Sequence, residues 1–179
     1  MSTIFELPFG KGRKWMNVGG IANAILGGWR VSAIQSYFSG FPIQLTRNNP
    51  FPIFNGGTRP TINGYDNWRA PLSGDEFDPG VDRFLNIAAF PAQPIAFGNA
   101  TKYNPKVREF PNFNENVSLA KSFPLSESRR IDVRWEAFNL FNRVRFGTGS
   151  TSLNSTAFGV VNSQANNARQ MQVALKLYW

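Results

Sequence analysis

Apolar and polar residues alternate most regularly at the end of the chain. In residues 168–179, ARQMQVALKLYW, Met171, Val173, Leu175, Leu177 and Trp179 fall on one face, and Gln170, Gln172, Ala174, Lys176 and Tyr178 on the other. Successive side chains of a strand point to opposite sides, so one face suits lipid and the other water. Residues 129–142, RRIDVRWEAFNLFN, repeat the pattern: Ile131, Val133, Trp135, Ala137 and Phe141 oppose Asp132, Arg134, Glu136 and Asn142. Phe138, Asn139 and Leu140 interrupt it. Residues 116–123 place Val117, Leu119 and Phe123 together, with Lys121 on the same side, a position a lysine tolerates only near a membrane interface. A longer, less regular strand is predicted over residues 29–46 and a short one over 3–9. The run NVGGIANAILGG, residues 17–28, predicts a short amphipathic helix bounded by glycines.

The connections between these strands are unequal. PLSESR, residues 124–129, is a tight turn, whereas residues 47–113 and 144–167 are long and rich in Gly, Pro, Ser and Asn. Long and short connections alternate in this way in outer-membrane barrels, with long extracellular loops and short periplasmic turns. Rings gather at the strand ends: Trp29, Phe123, Tyr178 and Trp179 toward one side, Phe38, Phe41, Phe113, Phe141 and Phe146 toward the other, as in two interfacial girdles. The expected fold is therefore all-β, an antiparallel transmembrane β-barrel segment of about five strands with long extracellular loops. It is incomplete, because known barrels need at least about eight strands. A soluble β-sandwich would share the alternation. It would not carry a loop of about 65 residues or strands this far beyond the usual five or six.

Composition sharpens this reading. The chain is 15% aromatic but only 17% charged, so it has many rings to place and few charges to solvate them. No run of about 18 apolar residues exists for a membrane helix, an absence that does not touch a barrel, whose alternating strands escape hydropathy scans. With no histidine and no cysteine, His/Cys zinc sites, Ser-His-Asp and Cys-His nucleophile systems and disulfides are excluded. No enzyme and no cofactor is expected. The net charge of +8 is spread in single residues and short clusters such as Lys11, Arg13 and Lys14, which does not describe a nucleic-acid-binding surface.

Three local features invite chemistry. Asp132, Arg134 and Glu136 share one face of a strand, with the two carboxylates about 13 Å apart by strand rise, too far for paired acid/base work. They suit a charged wall facing a lumen, or cross-strand ion pairs that hold register. The acidic stretch with Asp75, Glu76, Asp78 and Asp82 lacks the regular spacing and terminal glutamate of an EF-hand loop and reads as a solvated surface loop. Tyr65, Trp68 and Phe77 could offer rings to a sugar, but packing of the long loop on itself accounts for them better.

The run RRIDVRWEAFNLFNRVRFG, then TSLNSTAFGVV and NNARQMQVALKLYW, resembles the C-terminal barrel end of Oar-like TonB-dependent outer-membrane receptors. FELPFGKGRKW, AILGGWRVSAIQSYFSGFPIQLT and NENVSLAKSF resemble preceding parts of the same barrel. The strongest element is EAFNLFN, residues 136–142, beside an aromatic C-terminus. Many members carry histidine where Arg143 stands, a position outside the barrel wall. The resemblance implies a barrel of about 22 strands, an N-terminal plug and a TonB-contacting segment, neither visible here. Residues 1–15 also lack the features of an export signal, so residues 1–179 are expected to be the C-terminal part of a longer receptor that takes up an unidentified substrate. The implied partners are outer-membrane lipid, the rest of the barrel and its plug, the TonB complex through the missing N-terminal part, and the barrel-assembly machinery. Val173, Leu175, Leu177 and Trp179 are expected to form the assembly signal; Ile131, Val133, Trp135 and Phe141 to face lipid; and Asp132, Arg134 and Glu136 to face the lumen. A secreted β-rich binding or adhesion domain, using residues 47–113 as its contact surface, is the alternative.

Overall fold

The computed structural model describes residues 1–17, 19–51, 53, 56–64, 66–69 and 77–179. Two compact units emerge. One comprises Met1–Tyr37, Phe113–Val144 and Asn167–Trp179, the other Phe38–Asn112 and Arg145–Asn166.

The first unit is built on a five-stranded sheet of β1 (Ser2–Glu6), β2 (Trp29–Phe38), β5 (Asn112–Pro124), β6 (Arg130–Phe138) and β7 (Gln170–Tyr178), side by side in that order. Between β1 and β2 lies the short helix α1 (Gly20–Leu26), which the sequence leads one to expect. β1 pairs antiparallel with β2, β5 with β6, and β6 with β7. The register places Leu119, Trp135 and Val173 in line across three strands, and likewise Ser118, Glu136 and Gln172. The apolar alternation of each strand therefore lands on a single side of the sheet. β1 and β7 stand at its two margins, so the described strands form an open sheet. The ten residues of β2 span about 30 Å at strand rise, or about 21 Å at a 45° tilt, near the apolar band of outer-membrane barrels.

Strand boundaries differ from expectation in four places, the first being β1, expected over residues 3–9, which ends at Glu6. β5 begins at Asn112, earlier than residue 116, and runs for 13 residues; asparagines there alternate with Phe113 and Glu115, which hides the period. The single strand expected over residues 29–46 is broken after Phe38, and Pro42–Ile43 (β3) pairs instead with Asn104–Arg108 (β4) in a separate two-stranded sheet. Gly40 explains the break: a Cβ there would lie 2.2 Å from the carbonyl oxygen of Glu109, an approach only glycine permits. Pro42 then has no N–H for a continuing ladder. β6 stops at Phe138 because Asn139 and Asn142 adopt left-handed backbone, φ 52° and 53°, which asparagine tolerates better than most residues.

Beyond residues 38–46, the second unit holds residues expected to form loops, yet it has the only extended hydrophobic core among the described residues. Ile43, Leu45, Ile62, Trp68, Phe77, Phe84, Leu85, Val107, Phe110, Phe158 and Val161 are buried together. Rings make much of it: Phe110 lies 4.4 Å from Phe84, 5.0 Å from Phe77 and 5.2 Å from Phe146, centroid to centroid. Phe90 sits between Trp68 at 4.8 Å and Phe158 at 5.5 Å. Such tilted and edge-on pairs are favoured by the ring quadrupole. Phe146, expected in a girdle, is thus a packed ring of this unit. Trp68 and Phe77 are buried in it rather than offered to a sugar; Tyr65 lies outside the described residues.

Little regular ladder exists here beyond β3, β4 and a 3₁₀ turn at Ile87–Ala89, so side chains satisfy the backbone instead. Gln93 accepts from the Thr61 N–H at 2.8 Å and donates to the Thr61 and Pro91 carbonyls. Asn99 treats Ile62 the same way, accepting at 2.8 Å and donating at 3.1 Å. The buried Arg47 guanidinium donates to the carbonyls of Pro94 and Ala96, at 3.0 and 2.6 Å. In effect these side chains take the place of neighbouring strands.

Candidate functional site

The sheet presents two chemically distinct sides. On one, Val117 and Leu119 of β5, Ile131, Val133 and Trp135 of β6, and Met171, Val173, Leu175 and Leu177 of β7 line up in register. This side is left open: Val173 is 73% exposed and Leu175 71%, values that are costly in water at about 25 cal/mol per Å² of apolar surface. The opposite side carries Ser118 and Ser122, then Arg130, Asp132, Arg134 and Glu136, then Gln172 and Lys176. The ion pairs expected across strands run instead along β6, Arg130 to Asp132 at 3.5 Å and Arg134 to Glu136 at 3.4 Å. Gln172 adds a cross-strand hydrogen bond to Glu136. Residues two apart point to the same side of a strand, so an arginine folds over to its neighbour as readily as to the next strand.

Phe141 does not share the β6 face with Ile131, Val133 and Trp135. It lies past the strand end, in the turn formed by residues 139–142, where the N–H of Asn142 bonds to the Asn139 carbonyl at 2.9 Å. This turn is the centre of a polar knot that the motif EAFNLFN encodes. The Asn139 side chain is buried; it accepts from the Arg143 N–H at 2.9 Å and donates to the carbonyls of Arg143, at 2.9 Å, and Asn167, at 3.0 Å. Its backbone N–H goes to the Asn116 side chain at 3.0 Å. Asn142 accepts from the Arg169 N–H at 2.9 Å, just before β7 begins. Both asparagines thus tie the end of β6 to the start of β7.

Glu115 completes the knot. It is 4% exposed; its carbonyl accepts from the Leu140 N–H at 2.8 Å and its carboxylate meets the Arg143 guanidinium at 3.3 Å. The Tyr37 hydroxyl lies near the same carboxylate. Arg143 also lies over the rings of Phe113, at 5.9 Å, and Phe141, at 5.3 Å. A buried acid needs such partners. Glu115 and Tyr37 were not singled out by sequence; the one available signal was an acid flanked by asparagines opposite an arginine. Arg143 itself stands beyond β6, outside the strands.

At the other end of the sheet, Lys121 does not snorkel to water. It is 5% exposed and donates to the Ile25 carbonyl at 3.0 Å, with its ammonium over the rings of Phe123, at 4.8 Å, and Trp29, at 5.3 Å. Of the acidic stretch, Asp75 and Glu76 lie outside the described residues. Asp78 and Asp82 close a local turn, accepting from the N–H groups of Gly80 and Asp78 at 2.8 and 2.9 Å.

An open antiparallel sheet with one exposed apolar side, one charged side and rings at both ends is the wall of a membrane β-barrel. No helix among the described residues is long and apolar enough to cross a membrane. Residues 1–172 match the model of the outer membrane beta barrel domain, and the chain belongs to that family. It resides in the outer membrane and associates with its lipid. No curated protein and no solved structure matches it.

Proposed function

We propose that the chain forms part of the wall and extracellular loops of a TonB-dependent receptor of the Oar-like type, taking up an as yet unidentified substrate. The observation that carries this reading is the sheet itself: its apolar side is open, and both long excursions, after β2 and after β6, leave from the same end. The EAFNLFN knot, which pins the second of these excursions, lies in the segment most similar to such receptors. In this reading Ile131, Val133 and Trp135 face lipid, Asp132, Arg134 and Glu136 face the lumen, and Phe141 belongs to the rim. The remaining barrel strands, a plug and the TonB complex act with it, and no catalytic step is involved. Val173, Leu175, Leu177 and Trp179 present the terminal strand to the assembly machinery.

The test is made on the complete gene product in outer-membrane preparations. It should migrate differently on gels before and after boiling and crosslink to TonB. A heat-modifiable barrel that never crosslinks to TonB would be a passive outer-membrane protein and would overturn the transport reading. The secreted-domain alternative is set aside, since an apolar side this exposed would not stay monomeric in water.

A further inference from the structure

The connection between β1 and β2 has more structure than a turn requires. Its first half, PFGKGRKW, carries Lys11, Arg13 and Lys14, against Glu6 as the only acid in the first 28 residues. Its second half is α1, whose Ile21, Ile25 and Leu26 are exposed. The halves are locked together: Asn23 accepts from the Lys11 N–H at 2.7 Å, and Gly10 lies so close to Gly27 that a Cβ would be 2.7 Å from its Cα. The assembly is fastened to the sheet at two points, Arg13 donating to the Glu6 carboxylate of β1 at 2.8 Å and the Ile25 carbonyl holding α1. The Ile25 carbonyl accepts from both Trp29 Nε1, at 2.9 Å, and Lys121 Nζ. Since Lys121 pairs across with Val133, α1 ends over the apolar side of the sheet. A cavity of about 420 Å³ opens beside it, lined by Phe9, Lys11, Arg13, Asn23, Lys121 and Phe123 among others.

Apolar residues continuous with a lipid-contacting face, beside a cluster of cations and the exposed ring of Trp15, are the pattern of an element lying in a membrane interface. We propose that this connection is a phospholipid-holding foot. The phosphate of an anionic glycerophospholipid sits between Lys11 and Lys14, beside an Arg13 whose charge is taken up by Glu6 at 2.8 Å, and its acyl chains lie on Ile21, Ile25 and Leu26. Lys121 is the strut that holds α1 in place, which is why a lysine is retained on the apolar side. The inference rests on the outer-membrane placement, and on the short-turn end facing the periplasmic leaflet; it does not depend on transport or TonB.

Residues 1–179 contain no cysteine, so Ile21→Cys, with any cysteine elsewhere in the complete gene product replaced by serine, gives a unique labelling site on an exposed residue. The complete gene product, carrying this substitution and a fluorophore there, is reconstituted in phosphatidylethanolamine vesicles doped with doxyl-labelled phosphatidylglycerol or phosphatidylcholine. Phosphatidylglycerol should quench the label more strongly, with a local enrichment of about fivefold for each engaged cation. Lys11→Gln with Lys14→Gln should bring the two lipids level while leaving lipid quenching itself in place. Excess inorganic phosphate should change nothing. Equal quenching by both lipids in the unsubstituted foot, quenching only by aqueous iodide, or displacement by inorganic phosphate would each overturn the proposal. TonB crosslinking of the same sample reports separately on the transport reading.

Discussion

The two units of this chain use the same kind of side chain in opposite ways. In the unit that ends at Trp179, the apolar residues of the strands stand mostly open on one side of the sheet, and apart from the small Ala137 the side chains buried there are polar: Glu115, Lys121 and Asn139. In the unit formed by Phe38–Asn112 and Arg145–Asn166, rings and aliphatic side chains are packed inward around Phe84, Phe110 and Phe158. A soluble domain does only the second. A membrane wall needs no hydrophobic interior of its own, because lipid supplies the apolar surroundings, but it must satisfy each polar group that leaves water. A segment standing in water has to bury its rings, and the second unit does so. The contrast teaches which surroundings each part was shaped for.

Perturbations should separate the units, and the largest effect is expected in the packed one. Phe84→Ala removes a fully buried ring and should cost about 3–5 kcal/mol. Near-ultraviolet circular dichroism should lose the aromatic signal, while heat-modifiable migration of the barrel persists. Next comes Val173→Arg on the open side of β7, expected to cost about 2–4 kcal/mol if that side meets the middle of the bilayer. Ala174→Arg, one residue away on the charged side, should be nearly neutral, and denaturant titration of the vesicle-inserted protein compares the two. Asn139→Ala strips three side-chain hydrogen bonds and strains a left-handed residue, for about 1–3 kcal/mol. It should show as new protease cleavage around residues 139–144. The smallest effect on stability belongs to deletion of Trp179, which is 89% exposed. It should lower the yield of inserted protein without shifting the denaturation midpoint, and unchanged insertion would remove Trp179 from the assembly signal.

The same physics explains what could be read in advance. β6 and β7 were legible because a wall strand must alternate, and Ile131 to Trp135 and Met171 to Leu177 do so almost without exception. The first half of β5 was obscure, since Asn114, Glu115 and Asn116 carry no apolar period even though Glu115 is buried. The packed excursion was the least legible. Its backbone is held by Gln93, Asn99 and Arg47 rather than by ladders, and nothing in the local spacing of these residues announces partners 30 to 50 positions away. Of the knot, EAFNLFN stood out as a motif. Its role did not, because a buried asparagine at positive φ looks in sequence like a flaw in the alternation.

The central claim is that the open side of the sheet meets lipid, and single cysteines placed along β7 of the otherwise cysteine-free chain test it most directly. Labels at positions 171, 173, 175 and 177 should be quenched by doxyl lipids and shielded from aqueous iodide, with labels at 172, 174 and 176 behaving in the reverse way. Iodide quenching at all seven positions, with no alternation, would contradict the account.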